Sequence, residues 1–221
     1  MSRKPGCQKR AAYTGLRRDV ISLISGAPKA VLDVGCSNGV LLQYLRERFA
    51  ITYGVGIEFD DYMAQEAAEI ADKLIRADLD VFDWSQLHSE RYDLMVFADV
   101  LEHTKDPARV LNNAVKSATK DTEIIISLPN IQHWTAIKNL IMGDWPQRER
   151  GLFDRTHLRF FTLKSMHNLL ENCGLELQSI HRNYRLLDSP RSKFNRFSKI
   201  LAFPPFRPFL TYQYVLKAKL V

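Results

Sequence analysis

Six histidines occur in the chain, and three of them stand where acid–base chemistry could use them. An imidazole that titrates near neutrality is the side chain best suited to take a proton from a hydroxyl at physiological pH. His157 lies in the stretch GLFDRTHLRFF (151–161), three residues after Asp154, a carboxylate that could orient the ring. The alternative is structural: Asp154 pairs with Arg155 in a loop, and His157 caps the helix that follows. His103, in VLEH, is either a second candidate base or a residue that holds its loop, and His133 follows the run SLPN. His88, His167 and His181 fall on surface or strand positions without a motif. No H-E-x-x-H or other close ligand spacing joins these groups, so no metal site is expected.

A second constellation lies nearer the start. In VLDVGCSNGVLL (31–42), Asp33 precedes Gly35, Cys36 and Gly39, and a helical pattern begins at once. A glycine at position 35 lets the backbone turn sharply and approach a ligand, while the helix beyond offers unpaired N–H groups and a positive dipole. Glu58 closes the run YGVGIE, 19 residues after Gly39, where a carboxylate can accept both hydroxyl protons of a ribose. A nicotinamide dinucleotide wants G-x-G-x-x-G beneath its pyrophosphate, but here Cys36 is followed by Ser37 and Asn38. S-adenosylmethionine carries no phosphate and tolerates larger residues in such a turn. Asp78 in RADLD could accept from an adenine amine, and FADVLEH (97–103) supplies a fourth loop.

Positioning these loops requires strands that end beside one another. AVLDV (30–34), ITYGVGI (51–57), KLIRA (73–77), YDLMVFA (92–98) and EIIISL (123–128) have the composition of buried strands. Helical patterns alternate with them: LLQYLRERF, DYMAQEAAEIADK, and DPARVLNNAVKSA with Asp106 and Pro107 at N-cap and N1 positions. This alternation implies a parallel sheet with helices on both faces, and open sheets of that kind bind ligands at the carboxyl ends of their strands. A helix at about 131–142 and another in LKSMHNLLENCG, stopped at Gly174, lead to LELQSIHRNY and TYQYVLKAKLV, which could end the sheet as an antiparallel pair. The chain length suits a single domain over 1–221, with an N-terminal helical cap (1–29), a cofactor-binding half (30–128) and a substrate-side half (129–221).

VLDVGCSNG, YGVGIE, ADLD and YDLMVFADVLEHTKDP, in this order and at these intervals, resemble the class I S-adenosylmethionine-dependent methyltransferases. The likeness is to the small-molecule group that includes ubiquinone-type and sugar-modifying O-methyltransferases, and it runs over residues 13–180. It implies a Rossmann-like doubly wound α/β fold, with a mostly parallel seven-stranded sheet and an antiparallel last strand. It also implies S-adenosyl-L-methionine as cofactor, with Asp33, Gly35, Cys36 and Gly39 along its methionine end, Glu58 at the ribose, Asp78 and Leu79 at the adenine, and Ala98 and Asp99 below the sulfonium. Tyr13 and Arg17 would close over it. Ser37 departs from the glycine common at that position. SLPNIQHW and GLFDRTHLRFFT look like a narrower, polysaccharide-modifying group, and also resemble the methionine-biosynthesis protein W family. The first likeness implies O-methylation of a small-molecule or saccharide-type hydroxyl, for which His157, Asp154 and His103 are the candidate acid–base residues. The second implies a non-catalytic or partner-dependent protein. Asn130, His133, Trp134 and Phe161 are candidate walls for the acceptor, or ordinary packing.

Composition narrows the partners. The chain is 46% hydrophobic and 10% aromatic, with no apolar run of the roughly 18 residues that span a bilayer. Cys7, Cys36 and Cys173 are too far apart for a disulfide framework, so a reducing, cytoplasmic setting is expected. The net charge of +6 is uneven. Residues 1–18 carry six Lys/Arg and no acid and residues 182–221 nine and one, around a middle that is net acidic. Such ends could meet an anionic membrane, a phosphate-bearing substrate or only solvent. A nucleic-acid substrate is disfavoured. Amino-methylating relatives place Asn/Asp-Pro-Pro-aromatic where this chain reads ADVLE, and none of its cysteines sits in a Pro-Cys context. The insertion SPRSKFNRFSKILAFPPFRPFL (189–210) spaces Phe194, Phe197, Ile200 and Leu201 as on a helix and fills the positions between with Arg191, Lys193, Arg196 and Lys199. It reads as a lid over the substrate side or as an amphipathic membrane contact.

Overall fold

β-Branched and large apolar residues form strands where the runs predict them, in a computed structural model that describes residues 14–188 and 192–221. β1 (Ala30–Val34), β2 (Tyr53–Glu58), β3 (Lys73–Arg76), β4 (Leu94–Ala98) and β5 (Glu123–Pro129) pair in parallel. β6 (Leu175–Tyr184) and β7 (Thr211–Leu220) complete a seven-stranded sheet of order β3-β2-β1-β4-β5-β7-β6, in which β7 is antiparallel to both neighbours. This is the Rossmann-like α/β sheet with an antiparallel last strand. The direction of winding reverses between β1 and β4, which opens a crevice at their carboxyl ends.

Both faces of the sheet are covered, so its central strands are apolar on both sides. Leu32, Val34, Met95, Phe97, Ile124 and Ile126 face one core, where they meet Val110 and Leu111 of α4 (Pro107–Ala114) and Met166 and Leu170 of α6 (Leu163–Asn172). Val31, Leu94, Val96 and Ile125 face the other, against Val20 of α1 (Arg18–Ile21) and Leu41, Leu42 and Leu45 of α2 (Val40–Phe49). Asp106 caps α4 by accepting from the N–H of Arg109 at 3.0 Å, as its place before Pro107 predicts. Cys36 and Cys173 are buried thiols.

Some boundaries differ from the pattern, each for a tertiary reason. α3 (Asp61–Ala67) stops well before residue 73. Asp72 is recruited to the sheet, where its carboxylate accepts from Gly54 N–H at 2.7 Å and from Arg46 at 2.8 Å. α5 (Trp134–Ile141) starts late because the N–H groups of Asn130 and Ile131 bond to Tyr212 and Phe161. The helix expected in the insertion is a 3₁₀ turn (Lys193–Phe197) running into a single α-turn, α7 (Ser198–Leu201), with α8 (Arg207–Leu210) beyond it. Of the expected N-terminal cap, α1 is present, whereas Cys7 and Tyr13, with the rest of residues 1–13, lie outside the described residues, as does Arg191. No described helix is long and apolar enough to cross a membrane.

Candidate active site

The loop leaving β1 is built to receive a ligand. Gly35 (φ +75°) and Gly39 (φ +79°) both adopt the left-handed region, and a Cβ on Gly35 would stand 2.9 Å from Val100 Cγ2. Left-handed backbone and contact with the loop after β4 together require glycine there. Gly35→Ala is therefore expected to lower stability by about 2 kcal/mol, read by chemical denaturation, and to weaken cofactor binding. Ser37 also sits at positive φ (+52°). Its N–H donates to Glu58 at 2.8 Å, which holds the turn in place. Cys36 turns its side chain into the sheet, with Sγ 2.7 Å from where a Cβ on Gly56 would stand, so only its backbone faces the loop. Burial and the nearby carboxylates push that thiol up, and it stays protonated.

Glu58 is fixed by backbone alone. Its carboxylate accepts from the N–H groups of Ser37, Phe59 and Asp60, each at 2.8 Å. Asp33 is buried beneath the same loop, and burial and then Glu58 push its carboxyl up to about 7. Two carboxyl groups around the turn would repel a pyrophosphate and suit a cofactor that carries positive charge. Ser37 Oγ and Asn38 Oδ1 are buried in the turn without hydrogen-bond partners, as expected of a site that a polar ligand completes. An open hollow of about 550 Å³ lies between Phe59, Asp60, Asp61, Arg76, Ala77 and Asp78. Asp78 is exposed at its rim, while Leu79 packs into the core behind it. These residues fit a cationic nucleoside cofactor.

Across the crevice, Asp99 follows Ala98 at the end of β4 in a strained conformation (φ +56°). A network from four elements secures it. Arg17 pairs with Asp99, Ser127 Oγ donates to it at 2.8 Å, and Gln213 donates to it from β7. Arg17 also pairs with Asp19 at 2.8 Å, and Asp19 accepts from Asn183 of β6 at 2.6 Å. Burial alone would loosen the Arg17 proton, but Asp99 and Asp19 outweigh it. Burial would likewise raise Asp19, but Arg17 brings it down to about 2. The segment before β1 thus closes on the carboxyl edge through Arg17, joined by Asp19, Ser127 and Gln213, which no motif marks in the sequence.

The stretch 151–161 is stitched over this edge. Leu158 and Arg159 donate their N–H groups to the Glu102 carbonyl at 2.8 and 3.0 Å, and Phe161 bridges to Asn130. This brings the rings of His103 and His157 to 4.8 Å, edge to face. Donor atoms of Glu102, His103 and His157 all lie within 4.8 Å of one another. Glu102 is fully buried, and burial and then Asp99 hold its carboxyl well above the usual range. Burial and then His103 hold His157 down at about 4, so its ring is neutral at physiological pH. Glu102 Oε2 and His157 Nδ1 are buried without hydrogen-bond partners. Such a trio could move a proton or hold a divalent cation. Spacing along the chain predicts no metal site because His157 reaches the other two from a distant loop.

Several expectations need correction here. The Asp154 carboxylate does not orient His157 through Nδ1, which is unpartnered. It accepts from the N–H and hydroxyl of Thr156 at 2.8 and 2.6 Å, and Thr156 contacts His103 Nδ1 at 3.0 Å, so it steadies His103. Arg155 pairs with Glu149 at 3.0 Å, and Thr162 caps α6, so the structural alternative fails too. Among the candidate acceptor walls, Asn130 spends its amide on the carbonyls of Pro208 and Thr211, and His133 contacts Thr135 Oγ1 and the Arg185 carbonyl. Trp134 donates to the Leu186 carbonyl at 2.7 Å, and Phe161 is buried in the core. The polar groups of these residues are engaged by neighbouring backbone and by Thr135.

A glycine turn beside two acids, facing a histidine-bearing edge on a sheet of this order, defines the fold of the Rossmann-like methyltransferases. Solved structures share it. A SAM dependent methyltransferase from Archaeoglobus fulgidus is 17% identical with TM-score 0.64, covering 98% of this chain and all of that one. A magnesium protoporphyrin IX methyltransferase from Synechocystis PCC 6803 with bound SAH is 15% identical with TM-score 0.62, covering 100% and 90%. A family model described as a methyltransferase domain matches residues 9–180, and the chain belongs to that family. Ubiquinone biosynthesis O-methyltransferases are relatives. That of Hydrogenovibrio crunogenus is 24% identical over 174 residues, 72% of this chain and 70% of its own length. That of Yersinia enterocolitica is 30% identical over 119 residues, 52% and 49%. The chain spans about half the length of the second of these relatives.

Proposed function

We propose that this methyltransferase transfers the methyl group of S-adenosylmethionine to a hydroxyl of a small-molecule or saccharide-type acceptor. S-adenosylmethionine is the cofactor, and it supplies an electrophilic methyl group on a sulfonium. The observation that carries the acceptor reading is the neutral His157 ring, placed with His103 and Glu102 on the edge facing the cofactor turn. Methyl transfer to oxygen needs the nucleophile aligned with the methyl group and relieved of its proton. Alignment alone can contribute roughly 7–11 kcal/mol in favourable cases. The network around Asp99 fixes the edge, and in this reading His157 is the proton acceptor, its Nδ1 having no partner. The O-methyltransferase relatives support oxygen as the acceptor atom.

A base near 4 accepts a proton most readily from a hydroxyl that has been acidified. The unpartnered Glu102 Oε2 and His157 Nδ1 favour a second reading, in which Glu102, His103 and His157 hold a divalent cation that lowers the hydroxyl's pKa. The test is release of S-adenosylhomocysteine on a panel of phenolic and saccharide hydroxyls, with and without added magnesium or manganese. Turnover on one class of hydroxyl is the expected result. Tight cofactor binding with no release on any acceptor would leave only a binding protein.

Asp33 gives a pH-dependent expectation for the ligand-free chain. Its folded value of about 7 lies above its ordinary 3.8, so its contribution to stability is full below about pH 4 and is lost as pH rises through 7. Asp33→Asn removes that loss. Relative to wild type, the variant is expected to gain on the order of 2–4 kcal/mol between pH 5 and pH 8 in urea denaturation. Cofactor binding, by favouring the ionised form, is expected to release protons near pH 7, measured by calorimetry in buffers of different ionisation heat.

A further inference from the structure

The segment between β6 and β7 turns its apolar side chains away from the core. Its inward face is small and polar. Asn195 Oδ1 accepts from the N–H groups of Leu186 and Leu187 at 2.8 and 2.9 Å, and Ser198 donates to the Asn195 carbonyl at 2.6 Å. Ser198 and Ala202 are buried. The outward face carries Phe194 (65% exposed), Ile200 (76%) and Phe203 (52%), with Phe197, Leu201 and Phe206 beside them. A core-seeking helix shows the reverse pattern, and single exposed apolar residues are ordinary where six within thirteen positions are not. Lys193, Arg196, Lys199 and Arg207 are exposed among them, and no Asp or Glu occurs in 189–210. Among the described residues none of these four cations pairs with a carboxylate, and Arg196 lies 4.7 Å over the Phe197 ring.

We propose that residues 192–207 dock on the surface of an anionic lipid bilayer. Aromatic and aliphatic side chains enter the boundary between headgroups and acyl chains, while interleaved cations meet lipid phosphates. Charge decides against a second copy of the chain, because two such faces would oppose four unpaired cations with four more. The apolar content decides against nucleic acid, which has no use for Ile200 and Leu201. Position adds a consequence. β6 runs parallel to β5, so Tyr184 emerges at the sheet edge where Gln213 contacts Asp99. His133 and Trp134 tie Arg185 and Leu186 to α5 at that edge. Docking therefore presents the methyltransferase edge to the headgroup layer. The docking does not rest on O-methylation; only the corollary, an acceptor held at the membrane surface, rests on that reading.

The test is flotation of the full chain with phosphatidylcholine vesicles made with and without phosphatidylglycerol. Binding at least about tenfold tighter to the anionic vesicles, reversed by salt, is expected. Phe194→Ser/Ile200→Ser/Phe203→Ser should lose about tenfold or more of that affinity while binding S-adenosylhomocysteine as wild type does. Lys193→Gln/Arg196→Gln/Lys199→Gln should lose the preference for phosphatidylglycerol. The proposal is overturned if the wild type does not float, or if both variants float as it does. It is also overturned if light scattering shows a wild-type dimer that the apolar variant disperses without any vesicle binding.

Discussion

Replacing Glu58 by alanine is expected to weaken cofactor binding by about 100-fold or more, because hydrogen bonds to a charged group contribute roughly 1.5–3 kcal/mol each and a ribose diol makes two. The effect on the turn compounds it. In the wild type, Glu58 accepts from Ser37, Phe59 and Asp60, and the bond to Ser37 offsets the strain of a serine at positive φ. Without the carboxylate that N–H loses its partner, and the loop that approaches Val100 relaxes. Glu58→Gln keeps one acceptor oxygen and should fall between the two. Calorimetry with S-adenosylhomocysteine reads the loss, and the melting temperature of the ligand-free variants separates binding from folding. Alanine binding as tightly as wild type would remove Glu58 from the ribose.

The turn after β1 was legible in the sequence because backbone does most of its work. Gly35 and Gly39 announce left-handed turns, and Glu58 sits at a strand end, so residue type and spacing along one chain segment are sufficient. The strands were legible for a related reason: a sheet covered on both faces needs continuous apolar runs. The acceptor side was not legible, since its geometry is assembled across the chain. Nothing singles out Glu102 in VLEH, where His103 draws the attention, yet it is buried against His103 and His157. One signal was available, a Glu-His pair in the loop after the strand that ends at Ala98, but nothing in the sequence says that His157 reaches it. Asp154 was assigned to its neighbour by proximity, whereas the turn hands it to Thr156 and so to His103. The polar atoms of Asn130, His133 and Trp134 are spent on backbone and neighbouring groups because loops at a sheet edge must satisfy their own backbone, and polar side chains there are the nearest partners.

The same logic makes Glu102→Gln the second large expected effect. A carboxyl group that is fully buried, raised by desolvation and left with one unpartnered oxygen detracts from stability, and proteins tolerate such groups where function needs them. The amide has nearly the same shape and no charge. The variant should melt no lower than wild type at pH 7, and higher by about 2–4 °C if roughly 1 kcal/mol is relieved. Turnover should fall by about 100-fold or more with cofactor affinity unchanged, because in the proposed reading Glu102 serves the acceptor side and not the turn at Gly35. His157→Ala should share the loss of turnover. Chelation separates the two chemical readings of the trio. If His157 acts as base without a cation, EDTA leaves wild-type turnover intact. If Glu102, His103 and His157 hold a divalent cation, EDTA lowers wild-type turnover to the level of Glu102→Gln, and magnesium or manganese restores the wild type alone. A Glu102→Gln protein that turns over at the wild-type rate would exclude Glu102 and the cation reading, and a His157→Ala protein that does so would exclude His157 as the base.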